Sequence, residues 1–204
     1  MTAAGGTSIS RRLGRRYLRP AIEGLVQRPR VRKYQLLSTC RRVTGSPLLL
    51  QPVLFVGPGE VVLGEGVQFG WKASPLFYSG YCHVEVSDER SRIEVGDRTE
   101  FNNNLLLKCA GAGIRIGRDG LFGAHVEIFD SNFHDLDPRR RKTGQPSLAR
   151  VEIGDNVFVG MGARILKGST IGSDAVIGAG SVVVGPIPAG VIAAGNPARV
   201  IREL

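Results

Sequence analysis

Long apolar runs, aromatic side chains and cysteines are all scarce in this 204-residue chain. The longest apolar run, Leu48 to Val56, is broken by Gln51 and Pro52 and falls far short of the roughly 20 residues a membrane-spanning helix needs. Cys40, Cys82 and Cys109 are odd in number and share no C-x-x-C spacing, so neither a disulfide framework nor a zinc ribbon is indicated. Early arginines are not followed by an apolar stretch, so no secretory signal is expected. A reduced, cytoplasmic protein is the simplest expectation. Aromatics make up 6% of the chain, with one tryptophan, whereas glycine occurs 28 times, about twice the usual share. Something periodic is using glycine.

Acidic residues are nearly missing from the first 45 positions. Eleven Lys and Arg face the single Glu23 there, while the remainder carries 16 bases against 17 acids. The formal charge of +9 therefore belongs to an N-terminal arm, and nucleic acid is not expected as a partner of the near-neutral body. Leu13, Tyr17, Leu18, Ile22, Leu25 and Val26 fall near one helical face, and Pro20 can open a second helix. A basic amphipathic arm of this kind suits peripheral contact with the inner face of an anionic membrane. Packing across the end of an oligomer, over the exposed edge of the body, explains it equally well.

From Ile153 onward the sequence repeats every six residues. Ile153, Val159, Ile165, Ile171, Ile177 and Val183 are all β-branched, and four positions after each come Val157, Ala163, Ser169, Ala175, Ser181 and Ile187, mostly small. Each hexad reads as a short strand and a turn, with the first aliphatic pointing inward. Three hexads make one coil of a solenoid, whose strands pair with the coils above and below about 4.8 Å away. Upstream the pattern recurs with interruptions, at Leu63 to Phe69, Val95 to Leu107 and Ile116 to Ile128; residues 71–92 are less regular. The expected organisation is an arm over 1–45, a solenoid over 46–192 and a C-terminal segment over 193–204. A polar insertion over 131–150 contains His134 and Arg139 to Lys142. A long loop thrown out of a rigid repeat commonly carries function.

Together these features resemble the hexapeptide-repeat acyltransferases, and within them the galactoside- and maltose-type sugar O-acetyltransferases. The likeness rests on Phe101 to Leu105, Phe133 to Pro138, Val151 to Val157 and the closing run Ala194 to Arg202. It implies an all-β fold, a left-handed parallel β-helix assembled as a homotrimer with active sites between subunits. It also implies acetyl-CoA as cosubstrate, a saccharide acceptor and no metal.

The resemblance implies that His134 is the general base. Imidazole can take the proton of an alcohol as it attacks a thioester, a contribution of about 10²–10⁴ in rate. Asn102 corresponds to an asparagine near the developing oxyanion, and Asn104 has a closely similar claim. Asp130 either binds an acceptor hydroxyl or ends a strand. Met161 and Ala179, one coil apart, match the path of the pantetheine arm, Met161 through its backbone. Arg199 and Arg202 match a basic pair that meets the CoA phosphates; Val184-Gly185 replaces a Thr-Lys found in several relatives. The acceptor is read as a hydroxyl of a polysaccharide, lipopolysaccharide or oligosaccharide precursor, with N-acylation of an amino sugar as the alternative. A γ-type carbonic anhydrase would need three histidines between subunits. His83 is expected outside the regular repeats, and His125 and His134 are nine residues apart, which fits such a site poorly. A non-catalytic scaffold and a thiol nucleophile at Cys82 are the remaining alternatives.

Overall fold

A computed structural model describes residues 24–204. The arm positions Leu13, Tyr17, Leu18, Pro20 and Ile22 lie outside the described residues. From Arg42 to the C-terminus the chain forms three sheets of seven, eight and six strands, and each strand pairs with the one three places along the chain. Every pairing is parallel except the last, where Ala198–Glu203 folds back antiparallel on Val191–Gly195. Such a pattern describes a three-sided solenoid of six complete coils and a partial seventh.

The interior is built from in-register columns, one under each sheet. Under the first lie Val95, Ile116, Ile153, Ile171 and Ile187. Phe69, Phe101, Phe122, Val159 and Ile177 lie under the second. Val84, Leu107, Ile128, Ile165 and Val183 lie under the third. All are buried, and each such side chain is worth roughly 1.5–3 kcal/mol. The hexad aliphatics thus point inward, as their spacing requires. Three phenylalanines stack in the second column: the rings of Phe69 and Phe101 lie 5.1 Å apart, and those of Phe101 and Phe122 4.9 Å apart.

Three departures from the repeat matter for function. First, residues 71–92 hold a whole strand of the solenoid, Cys82–Val86, and the first residue of the next, Arg92–Val95. His83 therefore lies within a regular coil, on the outer side of the third sheet and 3.2 Å from Glu85, which corrects the expectation that it falls outside. The irregularity is confined to the segment 70–81, which leaves the solenoid between Phe69 and Cys82. Second, the loop 131–150 leaves between Glu127–Phe129 and Val151–Ile153. Third, residues 24–37 form a helix whose inward side is polar.

That helix is held by hydrogen bonds more than by apolar packing. Gln27 Nε2 donates to Leu50 O (3.0 Å) and Phe77 O (2.9 Å), and Arg30 donates to Phe77 O (3.0 Å) and Gly80 O (2.5 Å). Burial pulls the Arg30 guanidinium below its ordinary pKa. Tyr34 stacks on Tyr81 at 4.6 Å. The helix thus clasps the segment 70–81 against the first coils. Leu25 and Leu36 face outward, 74% and 86% exposed.

Candidate active site

Asn102, Gly123, Gly160 and Gly178 follow in-register residues of the second sheet, so they stack along the edge between the second and third sheets. Their amides donate to Phe122 O, Val159 O, Ile177 O and Ala193 O at 2.7–2.8 Å. Glycine is required there by close approach: a Cβ on Gly123 would lie 2.5 Å from Met161 N, and one on Gly160 2.5 Å from Ala179 N. Met161 and Ala179 occupy successive rungs of this edge, joined by Gly180 N donating to Met161 O at 2.8 Å. Both are exposed, Met161 by 54%. Arg199 and Arg202 lie on the final strand, at the far end of the second sheet. Their guanidiniums bond only to Ala198 O and Glu203 O; among the described residues neither has an acidic partner. Five of the expected site residues, Asn102, Met161, Ala179, Arg199 and Arg202, therefore lie along one side of the molecule, from Asn102 to the basic strand.

The three asparagines divide their work. Asn103 is fully buried and donates to Trp71 O, Ser74 O and Pro75 O at 2.9–3.1 Å, while its Oδ1 accepts from Trp71 N. It fastens the segment 70–81 to the solenoid. Asn104 sits at a φ of 61°, a left-handed conformation asparagine tolerates well, and it pairs with Gln51 through its amide N–H and its Oδ1. Those bonds make Asn104 a corner residue. Asn102 is partly exposed; its Nδ2 donates to Ser74 Oγ at 2.9 Å and its Oδ1 accepts from Asn103 N.

His134 is exposed, and among the described residues it makes no hydrogen bond. Its neighbour Phe133 holds a φ of 61°, uncommon for a bulky residue. The Phe133 ring meets Phe129 edge-on at 5.5 Å and lies under Lys108 Nζ at 4.9 Å. A tight, anchored turn thus presents the imidazole. The root of the loop is tied by Asp130, which is fully buried. Its carboxylate accepts from the amides of Ala110 (2.7 Å), Ala112 (2.8 Å) and Gly113 (3.0 Å) and from Cys109 Sγ (3.2 Å). Of the two readings for Asp130, the geometry suits the structural one: its oxygens face backbone, away from solvent. The loop leaves at the edge between the third and first sheets, so His134 and Asn102 stand at opposite edges of the third sheet. One chain does not bring them together.

A cleft of about 300 Å³ borders Asn102 on the outer face of the second sheet. Gln68, Glu100, Leu121 and Phe158 form its floor, in register one above another; Trp71 and Ser74 belong to its lining. Sequence reasoning missed these residues because the inserted segment hides the register of Trp71 and Ser74. The one usable signal was the sole tryptophan. Cys82, by contrast, carries no nucleophilic role. It is fully buried, donates to Gln51 Oε1 at 3.4 Å, and burial pushes its thiol up to about 12.

Residues 150–185 match the bacterial transferase hexapeptide family in its six-repeat form. This stretch carries the hexapeptide repeat. Galactoside O-acetyltransferase of Escherichia coli (strain K12) is 34% identical over 134 residues, 66% of this chain and 61% of that protein. Gamma carbonic anhydrase 2, mitochondrial, of Arabidopsis thaliana is 32% identical over 163 residues, 78% of this chain and 51% of that protein. The crystal structure of the polySia-specific acetyltransferase NeuO shares the fold, with a TM-score of 0.54 at 22% identity over 79% of this chain and 82% of that one. The chain spans between about half and three fifths of the length of these two curated relatives.

Proposed function

We propose that this hexapeptide-repeat protein is an acetyl-CoA-dependent O-acetyltransferase acting on a saccharide. The observation that carries the reading is the edge on which Asn102, Met161 and Ala179 line up toward the Arg199 strand. A glycine-stacked edge with Met161 and Ala179 exposed on it gives an extended pantetheine arm room to lie along the coils, and guanidiniums that have no acidic partner among the described residues suit its phosphates. Galactoside O-acetyltransferase among the relatives supports the same class.

The chemistry follows from the groups available. The His134 imidazole accepts the proton of an acceptor hydroxyl as that oxygen bonds to the thioester carbonyl carbon. Asn102 Nδ2 donates to the carbonyl oxygen as it becomes negative. The C–S bond then breaks, and the departing thiolate takes the proton from the imidazolium, giving the acetyl ester and free CoA. Since His134 and Asn102 occupy opposite edges of the third sheet, the reading includes a homotrimer of left-handed coils in which His134 of one subunit meets Asn102 of another. The outward face of the helix 24–37, with Leu25 and Leu36 among Arg28, Arg32 and Lys33, supports peripheral contact with an anionic membrane surface on the cytoplasmic side.

Thiol release from acetyl-CoA in the presence of a saccharide panel tests the activity, beside light scattering for the trimer. Acceptor-dependent thiol release with formation of an acetyl ester is the expected result. Release that depends only on amino sugars would move the chemistry to the amine. No release with any acceptor, together with stoichiometric zinc and bicarbonate formation, would replace the reading by the anhydrase one.

A further inference from the structure

We infer that Lys108 is a positioning residue for the general base: its ammonium, held by Glu85, clamps the ring of Phe133 and so fixes where His134 stands. The inference rests on the acyl-transfer reading in taking His134 as the base.

Glu85, Lys108 and Phe129 are in register on successive strands of the third sheet, and all three lie on its outer side. They form a column of an acid, a base and an aromatic ring, about 4.8 Å per step. The loop 131–150 leaves right after Phe129 and turns back over this column. Lys108 Nζ sits 4.9 Å from the centre of the Phe133 ring and 3.1 Å from Glu85 Oε1. Phe129 meets the same ring edge-on at 5.5 Å. The Phe133 ring is therefore held by a cation on its face and by a second ring from the sheet.

The cation is itself fixed. Besides Lys108, the Glu85 carboxylate accepts from Ser87 Oγ at 2.9 Å and lies 3.2 Å from His83 Nε2. Burial pushes the Glu85 carboxyl up, but hydrogen bonds from Ser87, His83 and Lys108 outweigh it and hold the group below its ordinary value. An ionised carboxylate thus stands opposite the ammonium. The two side chains are only 33% and 21% exposed, and a cation partly removed from water is drawn to an aromatic face more strongly than one on open surface.

The stem of the loop does not place the imidazole by itself. Ser131 bridges to Leu148, Asn132 N donates to Ser147 O at 3.2 Å, and Phe133 N donates to Ser131 Oγ at 2.8 Å. Beyond that amide, the course of the chain toward His134 is set by the φ of 61° at Phe133. A bulky residue keeps such a conformation only where its surroundings over-determine it, and the clamp on the ring does so. Precision matters here, because a base displaced by about 1 Å can lose about 10² in rate.

The experiment compares full-length variants by thiol release and by nuclear magnetic resonance of the three histidines in ¹³C-histidine-labelled protein. Lys108→Met keeps the stem and removes the charge; it should lower kcat about tenfold and leave the acetyl-CoA KM unchanged. Lys108→Arg, whose guanidinium can pair with the carboxylate and lie on the ring, should restore kcat to within about twofold. Phe133→Leu should lower kcat to a similar degree, and adding Lys108→Met to it should cost nothing further. The ring signal of His134, assigned by its loss in His134→Ala, should move in Lys108→Met while that of His125 stays in place. The positioning role is overturned by an unchanged kcat in Lys108→Met, by a loss that Lys108→Arg does not restore, or by additive losses in the double variant. An unchanged Lys108→Met beside an inactive His134→Ala would remove the clamp and leave the base standing. A fully active His134→Ala would remove the base, while a moved His134 signal in Lys108→Met would still show the clamp holding the turn.

Discussion

Asn102 Nδ2 donates to Ser74 Oγ at 2.9 Å, so the carboxamide at the proposed reacting centre is oriented by a residue of the inserted segment. Removing the amide should cost more than removing its guide. Asn102→Ala is expected to lower kcat by about 10²–10³, and Ser74→Ala by about tenfold or less, both with near-normal folding by circular dichroism. Equal effects of the two variants would show that the amide itself does not touch the reacting atoms.

His134 is exposed at the end of an anchored turn, so its removal leaves the solenoid untouched. His134→Ala should lose about 10²–10⁴ in turnover while CoA affinity, read by calorimetry, changes less than twofold. Turnover near that of the unaltered protein would remove His134 from the mechanism.

The buried Asp130 carboxylate satisfies three backbone amides at once. Asp130→Asn keeps the size but places an NH₂ group against amide donors, and should lower stability by about 3 kcal/mol in urea unfolding. A loss under about 0.5 kcal/mol would mean that the loop root is held by something else.

The Cys82 thiol, raised to about 12 from an ordinary value of 9.0, favours its neutral form in the fold. Its contribution is fully present below about pH 9 and is lost as pH rises toward 12. A thiol reagent should therefore leave Cys82 unmodified at pH 8 until the protein unfolds, and the denaturation midpoint should fall above pH 9. Rapid labelling of the folded protein at pH 8 would contradict the burial.

The outward face of the helix 24–37 can be tested against vesicles. The full chain should sediment with phosphatidylglycerol vesicles and far less with phosphatidylcholine, and Leu25→Asp with Leu36→Asp should release it. Binding unchanged by the double variant would assign the affinity to basic residues alone. Failure of the unaltered chain to sediment would leave the face to a protein neighbour.

The hexads were legible because an inward β-branched residue every six positions is a covalent spacing that folding does not alter. Ile165 and Ile177 could be placed inside from the sequence alone. The segment 70–81 was not, because its structure comes from Asn103, Gln51 and Gln27, partners 25 to 50 residues away that no local pattern announces. The helix posed the opposite problem. An apolar stripe is normally read as the buried one, yet here the carbonyls of Leu50, Phe77 and Gly80 draw in Gln27 and Arg30, leaving Leu25 and Leu36 outside. Asp130 illustrates a third limit: a carboxylate that serves backbone amides looks, in sequence, like one that serves a ligand.

Because neighbouring coils can be separated only by the strand spacing, the edge from Asn102 to the last strand is a ruler graduated in steps of about 4.8 Å. Its length is a whole number of rungs, through Gly123, Gly160 and Gly178 to the closing turn. Evolution can lengthen or shorten it only by quanta of one coil, never by a fraction. A molecule gripped at both ends of such a scale is selected by its span as well as by its chemistry, and a coil gained or lost would mismatch that span at a stroke.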